Sequence, residues 1–516
     1  MVAVPLNMHK RKCAKTRNEL LNVLSQCSDV QTLQLLWAVN VLQSDMPPNL
    51  SRYLKYPPSA AKAKIGDKAF ALKWEIESLL LLMLSTPKTT PNVIPARYFE
   101  FDMACILMNL FKKAEEAENK IRVIDVTEMQ RYAHRQFLWQ RNFLQNERLY
   151  RYYYVYGQGE CAAYFKEKNG LSVEEFAIAC VGLFLWAHGN AWEHVPHLGE
   201  FKMLRQEIIH LALKIISRDL VDLRNDTAQR IHNAASKSSS KLSYLPSSLR
   251  QYPVISSSAN GGRIIAPLPQ LIMLRATSGL YYDLVEGPQA LTADANDRFE
   301  QYCKKLIEAR CPRFVVSREK PFGPKKAKLW TPDLLLSDGP EIKVVFECKA
   351  TKLTYEAQYA DNQYAEATKA FDQIAKGMSQ LWKFFSRARQ GTYAEDKVRS
   401  DAIGVILTMD NWFHLEGTQL PAIRKKAEEL VADEPGVLLQ DMRDVIFCSI
   451  EELDDVLAVS DEDEFLDTLR RQLLPQHRGW QLPSVRNPGW EKVLERKGYP
   501  FEISEVIPLW DELGRA

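Results

Sequence analysis

The stretch Thr331 to Thr351, TPDLLLSDGPEIKVVFECKAT, decides the fold. Two short apolar runs, Leu334 to Leu336 and Val344 to Phe346, flank Ser337-Asp338-Gly339-Pro340, a strong turn signal. The stretch therefore reads as two adjacent strands. Side chains alternate across a strand. Val345, Glu347 and Lys349 then share one face, and Val344, Phe346, Cys348 and Ala350 share the other. Asp333 stands at the head of the neighbouring strand. Charges set among so many apolar residues are costly unless they are paired or bind a metal.

Two carboxylates and an amine at one sheet edge suit phosphodiester hydrolysis. Carboxylates are hard oxygen ligands for Mg²⁺ or Mn²⁺. Such an ion polarises a phosphate and helps to generate hydroxide, and the amine can orient water or neutralise developing charge. The order Pro332-Asp333, a gap, then Glu347-Cys348-Lys349 resembles the signature of the PD-(D/E)XK, or restriction-endonuclease-like, nucleases. The resemblance covers about residues 288 to 456. It implies that Asp333 and Glu347 hold Mg²⁺ or Mn²⁺, that the main-chain carbonyl of Cys348 adds a ligand, and that Lys349 positions or activates water. It also implies an acid on the helix before the sheet, and Glu300 matches it. Phe299, Cys303, Leu306 and Ile307 form a helical stripe that Glu300 borders. The bland alternative is a solvated Glu–Lys pair and a surface glutamate.

Outward from the motif, Arg313 to Ser317 reads as a strand, followed by a basic loop holding Lys320, Lys325, Lys326 and Lys328. This loop leads into Asp333, so its lysines are candidate contacts to the phosphate backbone of a substrate. A long helix is expected near residues 362 to 387, with an apolar stripe of Phe371, Ile374, Ala375, Met378, Leu381, Trp382 and Phe385. Strands at residues 402 to 409 and 445 to 450 complete the sheet. The expected fold class is α/β: a restriction-endonuclease-like mixed sheet flanked by helices, preceded by a large, mostly α-helical domain. Residues 1–235 form that helical domain, 236–287 a linker and a buried connecting segment packed on the nuclease core, 288–456 the nuclease-like domain, and 457–516 a C-terminal extension packing back on the body.

Composition supports a multidomain globular chain. The 516 residues exceed one ordinary domain, and a hydrophobic content of 46% argues against wholesale disorder. With 67 basic and 65 acidic residues the net charge is +2, so any nucleic-acid surface must be a local patch. The nine cysteines form no CxxC pair, which speaks against a zinc ribbon and for a reduced compartment. No signal peptide or bilayer-length apolar run is read, so a cytoplasmic protein without a membrane partner is expected.

Three other constellations carry weaker signals. Arg131 to Tyr156 holds five arginines and nine aromatics, which could form a single-strand platform; the favoured reading is a helix with core aromatics and solvated arginines. His188, His194 and His197 lie close together without a usual zinc spacing. Arg205 to His210 superficially resembles the Arg-x₄-His motif of the HEPN ribonucleases. The reading that follows is a metal-dependent nuclease acting on nucleic acid, DNA before RNA, plausible in bacterial defence against foreign DNA, with homo-oligomerisation left open. The alternatives are a non-catalytic nucleic-acid binder or scaffold that keeps the fold, and an RNase built on the helical half.

Overall fold

The computed structural model describes residues 6–89, 97–121, 126–140, 143–196, 205–237, 241–285, 287–325, 328–360, 362–412, 419–487 and 495–513. Ten strands occur among them: β1 (Ser217–Asp219), β2 (Val254–Ser257), β3 (Arg263–Ile265), β4 (Val315–Arg318), β5 (Pro321–Phe322), β6 (Leu329–Trp330), β7 (Leu334–Asp338), β8 (Glu341–Lys349), β9 (Lys397–Thr408) and β10 (Val445–Ser449). Five form the main sheet, in the order β10-β9-β8-β7-β4. β4, β7 and β8 run antiparallel, whereas β8, β9 and β10 run parallel, so the sheet is mixed. The β7–β8 turn closes through Gly339 at φ +64°, a conformation that glycine reaches without strain. A small sheet joins β1, β2 and β3, and β5 pairs with β6.

The alternation read from the sequence is the alternation in the sheet. Leu334, Leu336, Val344, Phe346 and Cys348 face helix Gln289–Arg310 through Phe299, Cys303 and Leu306. Leu335, Val345 and Ile406 face helix Thr368–Arg389 through Phe371, Ile374 and Met378. The apolar stripe expected of the second helix is buried throughout. The long helix is interrupted, however. A short turn, Gln363–Glu366, precedes it, and Ala367 at φ −123° and ψ 37° breaks the hydrogen-bonded run.

The core beneath helix Gln289–Arg310 continues without a break into the first half of the chain. That half is mostly helical, as expected, with helices including Leu6–Gln26, Asp29–Leu42, Lys73–Ser85, Phe101–Asn119, Val173–Gly189 and Gln206–Ile216. The leucine pattern from residue 20 to 42 splits into two helices at Ser28, whose side chain caps the second by accepting from the Gln31 amide. Helix Asn146–Tyr156 packs on helix Gln289–Arg310. Phe465, Leu469, Ile503 and Ile507 bring the C-terminal residues onto the same core.

Several polar segments are more deeply packed than their composition suggests. Residues 241–249 are buried despite their serine content. Lys241 donates to Glu128 at 2.7 Å, and the Ser243 hydroxyl donates to Glu115 at 2.6 Å. The apolar segment beginning at Ile264 is buried as expected, but its helix Gln270–Ala276 packs on helix Val173–Gly189 in the helical half. The aromatics Tyr150, Tyr152 and Tyr153 are core residues as expected, whereas Arg131, Arg135, Arg148 and Arg151 are buried and not solvated. Pairing accounts for two of them: Arg135 meets Glu115 at 2.6 Å and Arg131 meets Glu128 at 3.1 Å. No single helix among the described residues is long and apolar enough to cross a membrane.

Candidate active site

Asp333, Glu347 and Lys349 come together where β7 begins and β8 ends. Lys349 Nζ donates to Glu347 Oε1 at 2.6 Å. The Cys348 amide donates to Asp333 Oδ2, also at 2.6 Å. The last β7–β8 pair is Leu334 with Phe346, so the ladder stops before Cys348 and Asp333 takes the place of the next partner. A residue's N–H and C=O point to the same edge of a strand, so the Cys348 carbonyl is directed toward Asp333 as well. The Cys348 thiol lies on the opposite face, beside Cys303.

Glu347 is 1% exposed, and its Oε2 has no hydrogen-bond partner among the described residues. An ionised carboxylate with an unsatisfied buried oxygen is unfavourable. Its pKa reflects that: burial raises it to about 8, with Asp333 and Glu300 adding to the rise while Lys349 opposes it. Burial likewise raises Asp333, against the pull of Lys349, the Cys348 amide and Arg318. Burial pulls Lys349 down, but Glu347 and Asp333 more than offset it, so the ammonium is held above its ordinary value.

Glu300, on helix Gln289–Arg310, lies close enough to Glu347 to add to the rise in its pKa. Burial and the nearby Asp333 carboxylate raise Glu300 itself to about 7, although Arg318 Nη2 donates to Glu300 Oε2 at 3.0 Å. Arg318 also donates to Asp297 at 2.5 Å. Read in the sequence as the start of the basic loop, Arg318 is the last residue of β4 and pairs in register with Leu334. Its guanidinium thus meets Glu300 and pulls on Asp333, and only the strand register reveals it. A second group missed in the sequence is Gly377. A Cβ there would stand 3.0 Å from Glu347 Cγ and 3.1 Å from Lys349 Cε, so this helix interior lies directly on the Glu–Lys pair.

The lysines of the basic loop diverge. Lys320 is held by Asp396 at 2.8 Å and Glu395 at 3.1 Å, which neutralises the charge it would offer a phosphate. Lys325 and Lys328 are exposed, and Lys326 lies outside the described residues. Among the described residues the weaker constellations do not assemble. His188 meets Ser44 and the Met46 carbonyl, and His197 is outside the described residues. Arg205 lies 3.7 Å from Glu175, while exposed His210 meets Gln206.

Among the described residues no three His, Cys, Asp or Glu side chains gather into a ready-made metal cage. The donor set of Asp333 and Glu347 still fits a hard divalent cation. It offers two carboxylates with raised pKa values, one orphaned oxygen and an adjacent carbonyl, which suits an ion that keeps several waters. No protein-family model, no curated protein and no solved structure matches the chain.

Proposed function

We propose that this protein is a metal-dependent nuclease with a restriction-endonuclease-like domain, hydrolysing phosphodiester bonds in DNA. The observation that carries the reading is Glu347: a buried carboxylate with one oxygen on Lys349, the other without a partner, and Asp333 close enough to raise its pKa. A structural ion pair needs neither the orphaned oxygen nor the second acid. The mixed sheet flanked by helices, with Asp333 at the head of β7 and Glu347 and Lys349 along β8, is consistent with the resemblance.

Asp333, Glu347 and the Cys348 carbonyl would hold Mg²⁺ or Mn²⁺. The chemistry supplied when the ion is bound is polarisation of the phosphate and a lowered pKa of water. Lys349, kept charged by its two neighbouring carboxylates, stabilises the charge that builds on the phosphate and orients the attacking water. Arg318 holds Glu300 against the site and balances part of its acidity.

The test is incubation of the purified protein with plasmid, linear duplex, single-stranded DNA and RNA, with Mg²⁺, Mn²⁺ or EDTA. Cleavage of DNA that requires the divalent ion, and that Glu347→Gln abolishes, is expected. Full cleavage in EDTA would sink the two-carboxylate reading and turn attention to the Arg205–His210 helix.

A further inference from the structure

One more acid, Glu319, follows directly on β4, and the pairing of the strands fixes its place. Arg318 pairs in register with Leu334. Two residues further on, Lys320 stands opposite Thr331. The Thr331 amide donates to the Lys320 carbonyl at 3.1 Å, and the Lys320 amide donates to the Thr331 hydroxyl at 3.1 Å. Between these two pairs one strand has a single residue, Glu319, and the other has two, Pro332 and Asp333. Two residues opposing one make a β-bulge, a device that re-aims side chains beside active sites. Pro332 has no amide to donate, so it cannot continue the ladder. Glu319 is thereby set opposite Asp333.

Side chains alternate along a strand. Arg318, opposite Leu334, lies on the face where it meets Glu300, so Glu319 joins the other face, that of Glu347 and Lys349. Its surroundings agree. Partial loss of water raises the Glu319 pKa, Asp333 adds to the rise, and Arg318 and Lys349 oppose it. The flanking cations pair elsewhere: Arg318 with Asp297 and Glu300, Lys320 with Glu395 and Asp396. Glu319 is exposed and has no hydrogen bond or ion pair among the described residues. Four carboxylates, Glu300, Glu319, Asp333 and Glu347, thus face two cations, Lys349 and Arg318, and Arg318 is shared with Asp297. The excess charge is negative, around a site whose most buried acid, Glu347, has an oxygen without a partner. A phosphodiester is repelled there unless a cation comes between.

We propose that Glu319 is a third carboxylate of the cation site, holding the waters of a divalent ion bound at Asp333 and Glu347. Among the described residues no three acids gather closely enough to touch one ion. An exposed carboxylate opposite Asp333 therefore suits the outer shell of an ion that keeps several waters, as Mg²⁺ and Mn²⁺ do. There it accepts hydrogen bonds from those waters and adds negative charge, which raises affinity and orients the waters. The resemblance assigns Glu319 no role; the bulge at Pro332 and Asp333 brings it to the site. That the ion serves cleavage rests on the nuclease reading, whereas its binding does not.

The experiment titrates Mn²⁺ into full-length protein without nucleic acid, read from the loss of the free ion's paramagnetic resonance signal, for wild type, Glu319→Gln and Glu347→Gln. Glu319→Gln should weaken binding roughly tenfold or more, the scale of groups that support a metal's direct ligands. Its melting temperature in EDTA should stay unaltered, because the side chain is exposed. Glu319→Asp keeps the charge and should restore part of the affinity. The Mg²⁺ concentration for half-maximal cleavage should rise in Glu319→Gln by the factor seen in binding. Unchanged Mn²⁺ affinity in Glu319→Gln, with binding lost in Glu347→Gln, would overturn the role of Glu319 and leave the nuclease reading intact. A wild-type protein that binds no Mn²⁺ would overturn both. Weakened binding in Glu319→Gln, in a protein that cuts neither DNA nor RNA, would support the third carboxylate and remove the cleavage reading.

Discussion

Glu347 keeps its proton longer when the chain is folded than when it is unfolded, and that has a measurable sign. Its pKa rises from the ordinary 4.5 to about 8. Between those values the folded chain retains a proton that the unfolded chain has released, so stability falls as pH rises through the window. Glu300, raised to about 7, acts in the same direction. In EDTA, the wild-type melting temperature minus that of Glu347→Gln should therefore be lower at pH 8.5 than at pH 5.5. Mn²⁺ should raise the wild-type melting temperature more at pH 8.5, because ion binding needs deprotonated carboxylates; a difference that grew with pH in EDTA would contradict the assigned burial. Lys349→Ala removes the cation aimed at the phosphate but leaves both acids. Turnover should fall about 100- to 1000-fold, the scale of one preorganised electrostatic group, with DNA binding in Ca²⁺ little changed. Near-normal cleavage by that variant would take Lys349 out of the mechanism. Glu347 and Lys349 were legible together because period-two alternation fixes which side chains of a strand meet. Arg318 was not, because its place depends on the register between β4 and β7, which no local pattern encodes.

Helix Thr368–Arg389 does two things at once: it covers the sheet with an apolar stripe and sets its backbone against the Glu–Lys pair. The stripe was evident from its 3.6-residue period. The close approach was not, since a lone glycine within a helix reads merely as a weak helix former. Gly377→Ala separates the two roles. Helix propensity alone would stabilise by about 1 kcal/mol. The new Cβ, however, would stand 3.0 Å from Glu347 Cγ and 3.1 Å from Lys349 Cε, so those side chains must shift by a few tenths of an ångström. The expected outcome is a melting temperature that fails to rise, together with cleavage slowed by roughly tenfold, since small misplacements of a catalytic group are costly. A stabilised and fully active variant would show that the helix is merely a cover. The buried arginines of the helical half teach the same lesson at the level of elements. Arg135 looks solvated from its own helix, and partners on other helices, Glu115 and Ser78, make its burial tolerable.

The two halves of the molecule share one apolar core, and polar contacts reinforce the join close to the site. Arg131 Nε donates to the Ala360 carbonyl at 3.0 Å, and the Gln419 amide bridges Gln130 at 2.9 Å and Gln363 at 2.8 Å. Lys352, three residues beyond Lys349, donates to the Ser278 carbonyl and pairs with Asp410 just past β9. On the other side of the sheet, Tyr150 and Lys305 both meet Glu505, joining helix Asn146–Tyr156, helix Gln289–Arg310 and the C-terminal residues. None of these partners was visible in the sequence, because each lies more than a hundred residues away or on an element whose place only the tertiary fold sets. A chain beginning at residue 263 would keep every candidate catalytic residue. It would nonetheless expose the face of helix Gln289–Arg310 that Tyr150 and its neighbours cover, and the buried segment from Ile264 onward would lose its seat on helix Val173–Gly189. Exposed apolar surface of that extent drives aggregation. The fragment should therefore be insoluble or melt without cooperativity, and co-expression with residues 1–262 should recover folding and metal-dependent cleavage. A soluble, cooperatively folded fragment with wild-type cleavage would mean that the helical half is a regulator resting on a self-sufficient nuclease core, and that the shared core is dispensable for catalysis.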